Sequence, residues 1–232
     1  MVDMEVFAIS DWHLSINSPK PMDIFGGAWQ GYVDSLTTNL KSVLHDNSIL
    51  LIAGDISWAM QLQQAQPDLD FISNFKGHKI ILRGNHDYWW KSISSVRGAL
   101  KNNTYALQND SIRLGNLVIA GSRGWSFPEN DTDAANKTIF DREVIRLQLS
   151  LADANKKRQP GDKLIVMMHY PPFINNTKSA FTDVLAQANV DAVVYGHIHG
   201  KHHKQNAVTV FDNIPYYLTS CDFLNNQPLK IK

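Results

Sequence analysis

The nine residues "KIILRGNHD" (79–87) carry two signals in one stretch. Lys79 to Leu82 is a short apolar run rich in isoleucine, as expected of a strand buried on both faces. Arg83 and Gly84 end it, and an amide, an imidazole and a carboxylate follow at once: Asn85, His86 and Asp87. A strand that delivers chemically competent side chains at its end is a pattern to look for elsewhere in the chain.

It recurs. "VFAIS" (6–10) leads to Asp11-Trp12-His13, "SILLIAG" (48–54) to Asp55, "KLIVMM" (163–168) to His169, and "DAVVYG" (191–196) to His197-Ile198-His199. A further run, "NLVIAG" (116–121), leads to Arg123 and Trp125 in "GSRGW". Helical patterns lie between the runs. Trp29, Tyr32, Val33, Leu36, Leu40, Val43 and Leu44 recur at three- and four-residue steps, as do Ile139, Phe140, Val144, Leu147 and Leu151 within 134–157. A short helix is expected across 179–188. Strands alternating with helices predict an α/β layered fold. Near the end, "AVTVFDN" and "IPYYLTSCDF" leave no room for a helix, so they predict a hairpin in a second sheet. Ser15 to Gly31 reads as a long surface loop of the kind that carries function.

In open α/β sheets ligands bind beyond the carboxyl ends of the strands, so parallel strands would bring these residues together. Within Asp11-x-His13 and His197-x-His199, two-residue spacing puts paired side chains on one face of an extended segment. Asp11, His13, Asp55, Asn85, His169, His197 and His199 offer a mixed oxygen and nitrogen set. Such a set suits manganese, iron or zinc better than calcium, and a lone cysteine, Cys221, rules out a thiolate-bound structural zinc. The seven exceed what one ion needs if it keeps a position open for water, which suggests two divalent ions bridged by an Asp. Two divalent cations against two carboxylates leave a positive centre, suited to a phosphate.

Taken singly, each residue has a plainer reading. Asp11 and Asp55 could be turn residues, and His13, His169, His197 and His199 could be hydrogen-bonded, half-buried histidines. His45, His78, His202 and His203 read as solvated or loop positions. "KHHK" (201–204) reads as a solvated tip that would lend positive charge near a phosphate. Trp58, Tyr88, Trp89 and Trp90 read as packing.

Composition sets the outer bounds. A chain of 232 residues with 44% hydrophobic and 19% charged content suits one domain over 1–232 with a sizeable core. Lys plus Arg and Asp plus Glu both number 22, so no basic excess points to nucleic acid. One cysteine, no signal-peptide pattern at "MVDMEVFAIS", and no apolar run long enough to span a bilayer predict a cytoplasmic protein that uses no membrane.

In order, "DWH", "GD", "GNHD", the His of "MMHYPP" and "GHIH" resemble the motifs of the calcineurin-like metallophosphoesterase superfamily. The flanks "GDISWAM" and "GNHDYWW" resemble a bacterial group of predicted phosphohydrolases within it. The resemblance implies an α/β (α+β) fold, a four-layer α/β/β/α sandwich of two mixed sheets flanked by helices. It implies that one ion takes Asp11, His13 and His199, the other Asn85, His169 and His197, with Asp55 bridging. A metal-bridging hydroxide would then attack phosphorus in line, the ions lying ~3.5–4 Å apart. It assigns His86 to the phosphate, as stabiliser or general acid.

One departure stands out. Protein phosphatases of the family carry a GDxxDR pattern, whereas Ile56, Ser57, Trp58 and Ala59 follow Asp55 here. Trp58 replaces the carboxylate that would orient the catalytic His, and Asp87 is a possible substitute. Asp87 and Arg123 are the candidates for touching substrate, which is expected to be a small phosphate monoester or diester. The alternatives are a nuclease or cyclic-nucleotide phosphodiesterase with the same centre, or a non-catalytic protein-binding scaffold.

Overall fold

The computed structural model describes residues 4–17, 20–128, 134–200 and 206–232. In the first half, β1 (Glu5–Ala8), α1 (Tyr32–Val43), β2 (Ser48–Ile52), α2 (Leu62–Ser73), β3 (His78–Leu82), α3 (Ile93–Ala99) and β4 (Thr104–Leu107) follow one another. The second half holds β5 (Ser111–Leu114), β6 (Leu117–Ser122), α4 (Ala134–Lys157), β7 (Lys163–Met168), α5 (Ala180–Gln187) and β8 (Ala192–Tyr195). It closes with β9 (Val208–Phe211), β10 (Ile214–Leu218) and β11 (Leu229–Ile231).

Two mixed sheets result, a five-stranded one in the order β11-β1-β2-β3-β4 and a six-stranded one in the order β5-β6-β7-β8-β10-β9. β1 to β4 are mutually parallel, as are β6, β7, β8 and β10, so each sheet has one edge where several strands end together. β11, β5 and β9 add antiparallel edges.

Alternation along the strands sorts the apolar residues into three layers. Val6, Ala8, Ile49, Leu51, Ile80, Leu82, Ile119, Ile165, Met167 and Val194 form the core between the sheets. Their neighbours Phe7, Leu50, Ile52 and Ile81 face outward onto Leu36 and Leu40 of α1 and Leu69 and Ile72 of α2. Val118, Val166, Val193 and Tyr216 pack in the same way under Leu147 and Leu151 of α4 and Phe181 and Leu185 of α5. Burial on both faces is why these strands read as continuous apolar runs. The architecture is the α/β/β/α sandwich that the family resemblance implies.

The helices at 134–157 and 179–188 and the terminal hairpin stand where expected. The helix expected from Trp29 starts later, at Tyr32, because Met22–Phe25 and Gly27–Trp29 wind into two short 3-10 turns.

The sheets are stitched together where β1 and β10 run out. Ser10 N donates to Thr219 O (2.7 Å) and Cys221 N to Ser10 O (2.9 Å), which extends pairing across the two sheets. That seam lies directly beneath the residues of interest.

Candidate metal centre

Each strand end turns its polar residue into the same space. Asp11, His13, Asp55 and His199 form one group, and Asp55, His169 and His197 a second; within each, one ligand atom per residue lies within 4.8 Å of the others. Asp55 is common to both, its Oδ2 standing 3.7 Å from His13 Nε2 and 3.5 Å from His169 Nε2. Asn85 joins the second group through Oδ1, which lies 2.6 Å from His169 Nε2 and 2.9 Å from His197 Nδ1. All seven residues are thus brought together from the two sheets.

The backbone is bent to achieve this. Asp11, His13, Asp55 and His197 all have positive φ, at 59°, 45°, 51° and 72°. Every other non-glycine residue in that region, among those described, is Asn or Asp, which tolerate it best. Two histidines held there indicate a conformation imposed by the surroundings, of the kind that gathers at functional sites. Gly84 and Gly196 allow the close approach: a Cβ on either would collide with the carboxylate of Asp55 or Asp11 respectively.

The donor set fits metal ions. If His169 donates from Nδ1 to Ala53 O (3.0 Å), its Nε2 lone pair faces the Asn85 carbonyl oxygen at 2.6 Å. Two acceptors that close favour a cation between them. His199 likewise places Nδ1 on Asp222 Oδ1 (2.9 Å) and turns Nε2 to His13 Nε2, 3.3 Å away. Burial holds His169 and His197 down at about 3 and His13 well below the usual range, so all three keep neutral lone pairs. Burial also raises both carboxylates, Asp11 to about 8, against the pull of His199. For His199, burial works downward, but the Asp222 hydrogen bond and the charges of Asp11, Asp222 and Asp55 outweigh it and lift it to about 9. The raised values of Asp11, Asp55 and His199 say that positive charge is favoured there, while the three lowered histidines stay neutral with lone pairs free to coordinate.

His86 stands apart from the donor groups. Its N–H donates to Asp55 Oδ1 (2.8 Å), while its ring is half-exposed, 4.7 Å from the Trp58 ring and 5.6 Å from that of His13. The ring lines the cleft.

Asp87 does something other than expected. It is fully buried and accepts from Ile56 N (2.9 Å), Ser57 N (3.2 Å), Gly84 N (2.7 Å) and Trp89 Nε1 (3.0 Å). It braces the loop after β2 against the loop after β3, and among the described residues it makes no hydrogen bond to the His86 ring. Burial and the charge of Asp55 push it up to about 7. As a substrate contact, Asp87 is therefore replaced by a structural role. Arg123 is also engaged: its guanidinium meets Glu143 at 3.4 Å and lies 4.6 Å over the Trp125 ring. Its carbonyl oxygen accepts from the backbone N–H groups of His169 and Tyr170, which frames the end of β7.

Of the four aromatics expected to pack, Trp89 and Trp90 are buried. Trp58 is partly buried, packing against the outer core of the first sheet and stacking on His13 at 4.7 Å and 24°, whereas Tyr88 is exposed. His45 pairs with Glu5, His78 stacks on Tyr105, and "KHHK" (201–204) lies outside the described residues.

Sequence reading missed Asp222. It sits one residue past the β10 seam, orients His199 through Nδ1 and accepts from Gly200 N (2.7 Å). The available signal was the same grammar as elsewhere, an apolar run ending in an Asp within "IPYYLTSCDF". Such carboxylate–imidazole pairs fix the ligand tautomer, and their loss typically weakens metal binding about 10–100-fold. Asp222→Ala is expected to lower manganese affinity by about that factor in a chelator competition. Affinity equal to wild type would show that His199 needs no such brace.

The family model of calcineurin-like phosphoesterases matches residues 4–201. A search of curated proteins finds no match. Among solved structures, the phosphopantetheinyl hydrolase of Mycobacterium tuberculosis is similar at TM-score 0.59 and 12% identity, over 99% of this chain and 96% of that one. TT1561 of Thermus thermophilus is similar at TM-score 0.61 and 9% identity, over 99% and 98%. A protein of unknown function from Aquifex aeolicus, AQ665, follows at TM-score 0.51 and 16% identity, over 98% and 96%. At these identities the likenesses speak to the fold.

Proposed function

The chain belongs to the calcineurin-like phosphoesterase family and is a metal-dependent hydrolase of phosphoester bonds, and on that premise we propose a dinuclear centre acting on a small phosphate monoester or diester. Asp11, His13 and His199 would hold one ion and Asn85, His169 and His197 the other, with Asp55 the donor common to both groups. The observation that carries this reading is the sharing of Asp55 between two separate donor groups. Bound there, two ions supply Lewis acidity toward the phosphoryl oxygens and a nucleophilic water at neutral pH.

The chain's own residues do the rest. Asp222 keeps His199 in the tautomer that presents Nε2. Asn85 contributes an uncharged oxygen, so the centre stays attractive to a phosphate dianion. His86 is the catalytic group of the protein: its half-exposed ring faces the cleft and donates a proton to the departing oxygen, or a hydrogen bond to the phosphoryl group. Trp58, stacked against His13 and close to His86, fixes that ring by contact where a carboxylate would have fixed it by a hydrogen bond.

Manganese, iron and zinc all suit these donors. The balanced charge favours a small substrate over long nucleic acid. Among the described residues no helix is long and apolar enough to cross a membrane, and with a single buried cysteine the reading places the protein in the cytoplasm, as one catalytic domain.

Elemental analysis of the purified protein, followed by a panel of aryl, bis-aryl, nucleotide and cyclic-nucleotide esters with each metal, tests this. Two ions per chain and hydrolysis of at least one ester are expected. A protein that binds no metal and cleaves nothing after manganese addition would be a scaffold instead.

A further inference from the structure

A cavity of about 800 Å³ opens beside the centre. That volume lies in the range of sites that enclose a ligand of drug size, far more than a phosphate needs. His13, His86 and His199 line its inner end, so it is continuous with the groups just described. The rest of the wall has a different character. Phe25, Trp29 and Trp58 contribute to it, with Met22, and no Lys or Arg lines it among the described residues. Lys20 reaches to 5.4 Å from the Trp58 ring but does not line the cavity.

The two indoles are held in fixed planes. Trp58 stacks on His13, and its Nε1–H donates to Met22 Sδ at 3.3 Å. Trp29 lies 5.6 Å from the His199 ring and is braced edge-on by Tyr32 at 5.2 Å. Rigid aromatic walls lose little entropy on binding and favour flat, apolar partners. Beside them, Ile24 and Phe25 are 77% and 66% exposed, a pair of large apolar side chains with no core to serve. The long loop of 15–31 therefore delivers apolar surface to the mouth of a hydrolytic centre.

From this geometry we infer that the ester cleaved here carries a bulky, uncharged, apolar alcohol group. It lies between Trp29, Trp58 and Phe25 while its phosphate faces the histidines. This rests on the phosphoesterase reading above and adds the class of leaving group to it. On cleavage the P–O bond to the alcohol breaks, water supplies the new P–O bond, and the alcohol leaves with one proton.

The manganese-loaded protein is offered 2-naphthylmethyl phosphate and glycerol phosphate, both esters of aliphatic alcohols, so leaving-group acidity differs little. kcat/KM is expected to favour the naphthyl ester by about tenfold or more. Phe25→Ser, at an exposed position outside the core, is expected to cut that ratio by about threefold or more, and Trp58→Leu to cut it further. Calorimetry gives a readout apart from turnover: non-hydrolysable 2-naphthylmethylphosphonate should bind about tenfold tighter than methylphosphonate. Equal kcat/KM for the two esters, or a ratio unmoved in both variants, overturns the inference and leaves the phosphoesterase reading standing. Cleavage of neither ester counts against that reading instead. Calorimetry then decides the cavity alone: equal affinities overturn the inference, and tighter naphthyl binding supports it.

Discussion

Asp55→Ala is expected to empty both halves of the centre at once. Its Oδ2 stands 3.7 Å from His13 and 3.5 Å from His169, and no other residue belongs to both donor groups. Removing a ligand of one ion alone would leave the second bound; removing the shared one should leave neither. Turnover should then fall by about a thousandfold or more, beyond what loss of one stabilising hydrogen bond costs. Elemental analysis after gel filtration reads the metal, and steady-state hydrolysis of an aryl phosphate reads the activity. The fold should survive. The charge of Asp55 helps push Asp11 up to about 8 and Asp87 up to about 7. An acid whose folded pKa is raised loses stability as pH climbs from its unfolded value, near 3.8 for both, through the folded one. Removing Asp55 relieves that loss, so the metal-free variant should melt no lower than metal-free wild type at pH 8. A variant that kept two ions per chain would show that Asp55 bridges nothing.

His86→Ala is expected to give the opposite pairing of results: metals retained, turnover lost. Its ring belongs to neither donor group, and only its backbone N–H touches Asp55. Loss of a general acid typically costs about 10²–10⁴ in rate. The loss should be greater for an alkyl phosphate, whose departing oxygen needs a proton, than for a nitrophenyl phosphate, whose oxygen does not. An equal loss for both would assign His86 to the phosphoryl group alone. Loss of metal in this variant would place His86 among the ligands and undo the division of roles.

Much of this was legible because sheet burial and site chemistry leave separate marks. Strands covered on both faces read as unbroken apolar runs, and the polar residue at each end is a single break in the pattern. Asp11, Asp55, Asn85, His169 and His197 were found in that way. The helices α4 and α5 were legible through their apolar spacing. Helix α2 was not, since its sequence "LQQAQPDLDFIS" carries Pro67 inside it and few apolar residues early. It forms through a capping box of Gln61 and Gln64 and through burial of Ala65, Leu69 and Ile72 against the first sheet. The short edge strands β4, β5 and β11 have three to four residues each, too few to show a period.

The role of Asp87 was illegible for another reason. Sequence adjacency to His86 says nothing of direction, and four N–H donors turn its carboxylate inward. The aromatic lining of the cleft was hidden too, because Trp58 looks the same in sequence whether it packs in a core or faces a cavity.

The seam between β1 and β10 bears on the order in which the protein is made. All seven proposed ligands have been synthesised by residue 199, and Asp11 already has Gly54 and His197 as hydrogen-bond partners by then. The Asp11 carbonyl oxygen gains its last donor only when Cys221 reaches the end of β1 and donates from Sγ (3.0 Å). β1 itself gains its outer neighbour only from residues 229–231. A chain emerging from the ribosome therefore carries a full ligand inventory before the seam that ties its two sheets together is closed. Ions captured early would meet a site in which His199 still lacks Asp222 and β1 still lacks its outer neighbour.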